Sequence, residues 1–268
     1  VNFITLDYSD ILLASLTIAV NAGLSITMRL HLGQRLVIAA LRMVAQLILV
    51  GLVLKALFAA ASPLLTGFAL MVMILFAGRE AMARQDRKFG GWWSYGLGTG
   101  SMMAAGLIVL VFGLTTQISP DPWYDPRYAI PLMGMILGNT MNGVSIGLDR
   151  MMSAVVGGKM AIEAQLCLGE SSQTALRPVV REALRAAFIP SINAMSAAGI
   201  VSLPGMMTGQ VLAGADPVEA VKYQIVIMFL IAGGTGIGSF AAVYMARQRL
   251  TDSRHRLRLD RLMPAKGL

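Results

Sequence analysis

The chain has 268 residues, of which 56% are hydrophobic and only 13% charged, with a mean hydropathy of +0.68 and a formal net charge of +8. That balance excludes an ordinary soluble domain and marks an integral membrane protein. The single cysteine, Cys167, excludes an internal disulfide framework.

Asp7 and Asp10 stand where a cleavable signal peptide would be basic, so the first apolar run reads as a retained anchor. The apolar runs lack the alternation of a membrane barrel and approach the length of a spanning helix. They predict an all-α polytopic protein with about seven transmembrane helices, at residues 11–28, 36–57, 64–81, 95–114, 129–148, 186–206 and 218–246. The sixth carries Pro190, Asn193 and Pro204, which point to a broken or kinked pair of half-helices.

Arg29 and Arg35 follow the first span, and Arg79, Arg84, Arg87 and Lys88 follow the third. Arg150, Lys159, Arg177, Arg181 and Arg185 follow the fifth, and the tail is basic from Arg247 to Lys266. The alternate side holds only Lys55, Arg127 and Lys222 beside acidic residues. The positive-inside rule then predicts the N-terminus outside and the C-terminus in the cytoplasm. On this reading residues 1–268 form a single transmembrane domain, with a cytoplasmic segment at 150–185 and a basic juxtamembrane tail at 247–268. Topology and contact with the lipid bilayer account for the positive charge, so no nucleic-acid partner is expected. Trp92, Trp93, Trp123 and Tyr124 are placed as interfacial anchors at opposite faces.

Polar residues inside spans are candidates for a transport path. Asn139 and Asn142 share a helical face with Met135, and they serve either a pathway or interhelical hydrogen bonding. Arg42 and Gln46 form a second polar stripe, with Arg42 read as structural. The run Ser202, Leu203, Pro204, Gly205, Met206, Met207 should end or break a helix near the outer surface, as a hinge or gate. Thioethers do not select iron, so Met206 and Met207 are only weak metal candidates, and no metal ligand set is assigned. His31 and His255 are too few and too far apart to form one. Acidic Asp121, Asp125, Asp216 and Glu219 read as solvated loop charges, with Asp216 and Pro217 as a helix start.

No G-x-x-x-x-G-K-[ST] loop is present, and the glycines of 233–238 lie in an apolar span with no lysine following, so they suit close helix packing rather than a nucleotide. No catalytic residue and no cofactor bound by this chain are expected. An intramembrane enzyme finds little support, because Asp149 is an isolated carboxylate beside Arg150; a seven-span receptor is permitted by topology alone.

The polar segment that begins at Ile162 carries Glu163 and Ala164, with Gly169 six residues after the glutamate and Glu170 next to it. This spacing resembles the cytoplasmic EAA loop of ABC-transporter permeases. That resemblance implies a short helix, a turn at Gly169 and a second helix, with Glu163, Ala164, Gly169, Glu170, Arg177 and Arg181 as the surface that meets an ATPase. A solvated amphipathic helix without a partner is the competing reading. The runs at 134–139, 181–190 (REALRAAFIP), 201–209 (VSLPGMMTG) and 213–224 (AGADPVEAVKYQ) resemble the signature segments of the FetB family, permeases of iron-export ABC transporters related to plant aluminium-sensitivity permeases. The resemblance implies a multi-pass permease of the bacterial inner membrane that pairs as a homodimer with ABC ATPase subunits carrying ATP and Mg. It also implies a role in iron export, metal homeostasis and resistance to oxidative stress. Another metal or a nucleotide-sugar is the alternative substrate.

Overall fold

The computed structural model describes residues 7–263 apart from 31, 61 and 86. His31 and Lys266 therefore lie outside the described residues. These form nine α-helices, and the only β pairing among them is three isolated bridges. Two compact units result, 1–62 and 63–268.

The first unit is a helical hairpin of α1 (Tyr8–Thr27) and α2 (Gly33–Ala60). Its turn is tied by the Ser25 hydroxyl, which accepts from the Leu32 backbone at 3.0 Å. Gly33 allows the helices to approach closely there, since a Cβ would stand 3.1 Å from the Ala22 carbonyl oxygen. Outside that turn both helices are apolar on nearly every face and exposed, which hydrocarbon tolerates and water does not.

In the second unit α5 (Pro126–Gly157) packs against α3 (Pro63–Ala83), α4 (Trp93–Phe112), α7 (Ser172–Ala197) and α9 (Pro217–Leu250). Asp125 caps α5 by accepting from the Arg127 backbone, and Asp216 caps α9 by accepting from Val218 and Glu219, each cap followed by a proline. Small residues let α5 and α9 interlock. A Cβ on Gly238 would stand 2.4 Å from Thr140 Cγ2, one on Gly234 2.8 Å from Ile136 Cγ2, and one on Gly143 2.6 Å from Thr235 Cγ2. Gly234, Gly236 and Gly238 of the 233–238 run thus serve helix packing, while Gly233 faces open space. Around this seam Met133, Ile136, Leu148, Met151, Met152 and Leu176 are fully buried.

Among the described residues five helices are long and apolar enough to cross a membrane: Ser9–Thr27, Gly33–Ala60, Pro63–Ala83, Trp93–Ile118 and Pro217–Leu250. The other two expected spans fall on α5, whose Asn139, Thr140 and Asn142 dilute its apolar content, and on α7, whose first half is charged. The expected sixth span is resolved as two helices. α7 runs unbroken through Pro178 and Pro190, and the break falls at 198–204, where Gly199 takes φ +86°. Pro204 and Gly205 do not end a helix: they begin α8 (Gly205–Leu212), with Pro204 as its N-cap.

The described part of the basic tail, residues 247–263, is folded. Arg247 and Arg249 belong to the last turn of α9, and residues beyond it turn back on the α3–α4 connection. Leu262 pairs with Phe89, Met263 donates to the Lys88 carbonyl at 2.8 Å, and Gly90 donates to the Arg261 carbonyl at 3.0 Å. Asp252 organises the return by accepting from the backbones of Arg254 and Arg256 and from Arg256 Nε.

Candidate functional site

The segment at 150–185 begins inside α5 and ends inside α7. Between them α6 (Lys159–Cys167) ends at Leu168, and Gly169 turns the chain with φ +92°, a conformation only glycine adopts cheaply. Ser171 then caps α7 by accepting from the Thr174 backbone at 3.2 Å. Helix, glycine turn and second helix follow one another as the motif implies. Ala164, Gly169, Glu170, Arg177 and Arg181 are exposed, while Glu163 is half-buried and lies 3.8 Å from Lys159 on the same helix. Met160 and Leu168 are 79% and 85% exposed, so the turn presents apolar side chains among its charges. Arg177, Arg181 and Arg185 recur every four residues along one stripe of α7.

This turn lies at the same end of the second unit as the basic tail and the α3–α4 connection. The contact that shows it is Ser172 Oγ to His255 Nδ1, 2.9 Å. The residues read as a hinge or gate lie at the other end of α7, about 39 Å away at 1.5 Å per residue over its 26 residues. There Ser202 pairs with Ala198 and accepts from Gly199 at 2.9 Å. Met206 is partly buried against the hydrophobic core, and Met207 is half-buried beside it on α8. The two expected clusters are therefore separate, joined by a single helix.

Asn139 and Asn142 lie between these ends, on α5, and their side chains have different duties. Asn139 Nδ2 donates to the Met135 carbonyl of its own helix at 2.9 Å. Asn142 is exposed and accepts from Nη1 of Arg84, the residue just after α3, at 2.5 Å. It opens onto a cavity of about 390 Å³ lined also by Ser145, Asp149, Arg150 and Ser153. Arg150 of this lining forms an ion pair with Glu182 of α7. Sequence reading missed this polar groove, although Asn142, Ser145, Asp149 and Ser153 recur at steps of three and four residues, the spacing of one helical face. Among the described residues no group of three or more His, Cys, Asp or Glu side chains is arranged to hold a metal ion.

A bundle of long apolar helices, with a polar groove on a central helix and a glycine turn at its basic end, defines a polytopic helical membrane protein. The chain belongs to the uncharacterised protein family UPF0014, which it matches over residues 8–251. It is 42% identical over 205 residues to the UPF0014 membrane protein slr1647 of Synechocystis sp., covering 75% of this chain and 77% of that one. It is 32% identical over 221 residues to the probable iron export permease protein FetB of Escherichia coli, covering 82% and 83%. It is 28% identical over 222 residues to the protein ALUMINUM SENSITIVE 3 of Arabidopsis thaliana, covering 83% and 79%. The resemblance to the FetB family and its plant relatives read from the motifs is thus shown. No solved structure matches the chain.

Proposed function

We propose that this chain is the permease subunit of an ABC transporter that exports iron across the bacterial inner membrane, powered by ATP and Mg on a separate ATPase subunit. The observation that carries the reading is the exposed α6, Gly169 and α7 turn in a chain whose relative is named a probable iron export permease. In this reading α5 and α7 complete seven spans, the N-terminus is outside, and the basic end of the second unit faces the cytoplasm, as the positive-inside rule favours. Two copies pair with two ATPases. Glu163, Ala164, Gly169, Glu170, Arg177 and Arg181 receive the ATPase, α7 carries its movement to the 202–207 segment, and Asn139 and Asn142 belong to the path.

The test is ATP-dependent uptake into inverted vesicles that contain this chain and its ATPase, with Fe(II) compared against other cations. Iron accumulation above an ATPase-dead control is expected. Accumulation of another metal but not iron would move the substrate. No ATP-dependent movement of any cation would sink the export function.

A further inference from the structure

A second site lies at the basic end of the second unit, between the start of α4 and the end of α9. It is a cavity of about 580 Å³ whose walls include Trp92, Trp93, Leu97, Met245, Arg249 and Arg261. The Arg249 guanidinium stacks on the Trp93 ring with its carbon 4.4 Å from the ring centroid. Stacking holds the group in one place and leaves its edge of N–H donors free to face an anion. Arg249 Nε is buried and meets no hydrogen-bond partner, a costly state for a charged donor. Arg261 spends Nη1 on the carbonyls of Arg249 and Thr251, at 2.7 and 3.4 Å, and no acceptor among the described residues meets its Nε or Nη2. The nearby carboxylates make their hydrogen bonds to other arginines, Asp252 to Arg256 and Asp260 to Arg258.

The rest of the cavity selects what kind of anion enters. Leu97 and Met245 are apolar, and a Cβ on Gly96 would meet nothing within 4 Å, so there is open space along α4 beside the arginines. Trp92 and Trp93 are 84% and 56% exposed at this helix end, where aromatic side chains mark the boundary between hydrocarbon and headgroups. A soluble phosphate needs the arginines but not the apolar wall or the interfacial tryptophans. A lipid needs all three.

We propose that Arg249 and Arg261 form a binding site for the phosphate of an anionic phospholipid, with the acyl chains running along the Gly96 side of α4. The phosphate supplies acceptors to the two guanidinium groups that line the cavity, and the lipid links the end of α9 to the folded tail. The site is independent of the transported substrate and of the ATPase.

The experiment uses the full chain in nanodiscs of phosphatidylcholine doped with phosphatidylglycerol, and native mass spectrometry reads the phosphatidylglycerol retained. The wild type and Arg254→Gln, a change at an exposed tail position, should retain it equally. Arg249→Gln should retain about tenfold less, as expected when a charged hydrogen-bonding group is removed. Arg249→Lys keeps the charge but loses the planar fork, and should fall between them; it decides the matter if Arg249→Gln fails to fold by circular dichroism. Equal retention in a folded Arg249 variant overturns the proposal. Displacement of the lipid by millimolar inorganic phosphate also overturns it, and assigns the arginines to a soluble phosphate.

Discussion

The first residue of α7, Ser172, is clasped by His255 from the folded tail: the Ser172 hydroxyl lies 2.9 Å and its backbone nitrogen 3.3 Å from His255 Nδ1. Because the backbone N–H can only donate, Nδ1 is the acceptor and the ring proton belongs on Nε2. The turn at Gly169 is thereby held between α6 and a segment more than eighty residues later in the chain. His255→Ala should leave the helices intact, cost roughly 1 kcal/mol, and raise amide hydrogen exchange at residues 170–175. Unchanged exchange there would show that the clasp does not restrain the turn.

Gly169 has open space around it, so its demand is for backbone conformation alone. Gly169→Ala should destabilise the turn by about 1–2 kcal/mol through its positive φ, and Gly169→Asn should cost less. Gly169→Trp adds bulk to the exposed surface and should abolish co-purification with the ATPase while membrane insertion persists. Retained co-purification would remove the turn from the docking surface.

The spanning helices were legible in the sequence because long apolar runs have few alternatives. The packing role of Gly234, Gly236 and Gly238 was legible for a related reason, since small residues in a span permit close approach, though Gly233 of the same run faces open space. The fold of the tail was not. Its order comes from short-range pairs, Arg256 with Asp252 and Arg258 with Asp260, and from Leu257, Leu259 and Leu262 interleaved among arginines, which read by composition as a charge run. Nor did composition reveal that α7 passes through Pro190, because the cost of a proline depends on neighbours that sequence does not display. Of the candidate site, the glycine turn was visible and the groove around Asn142 was only half visible. Arg84 reaches it from just beyond the end of α3, 58 residues away.

Two glycine substitutions separate packing from propensity on α9. Gly238→Ala places a methyl group against Thr140 and should destabilise by about 1–3 kcal/mol. Gly233→Ala meets nothing within 4 Å and should be neutral or slightly stabilising, since alanine favours helix. Thermal unfolding in detergent distinguishes them, and equal midpoints would contradict the close seam.

Arg150 and Glu182 join α5 to α7 at the cavity, with side chains 56% and 49% exposed. Such a pair contributes no more than about 1 kcal/mol to stability, so Glu182→Gln should barely shift the unfolding midpoint. Transport should fall if the groove belongs to the path, and exchanging the two charges should restore part of it. A loss of transport that merely tracks a loss of folded protein would argue for a structural pair.

The tail should withstand acid. Arg258 holds the Asp260 carboxyl down to about 2, chiefly by hydrogen bonding, and the Arg256 backbone and side chain lower Asp252 as well. A depressed carboxyl supports the folded form above its unfolded value near 3.8, and that support disappears as pH falls through about 2. Protection factors at residues 252–262, taken against the intrinsic exchange rate at each pH, should thus stay high at pH 4 and fall as pH approaches 2. Opening already complete at pH 4 would mean that these pairs do not hold the return.

The interlocked seam of α5 and α9 constrains how such a protein moves. Helices whose backbones approach this closely cannot slide or rotate past each other without collision, so they travel as one piece. Any change of access has to come from elements free of that restraint. On the proposed function, the joint at 198–204 between α7 and α8, with Gly199 at φ +86°, is the hinge expected to supply it.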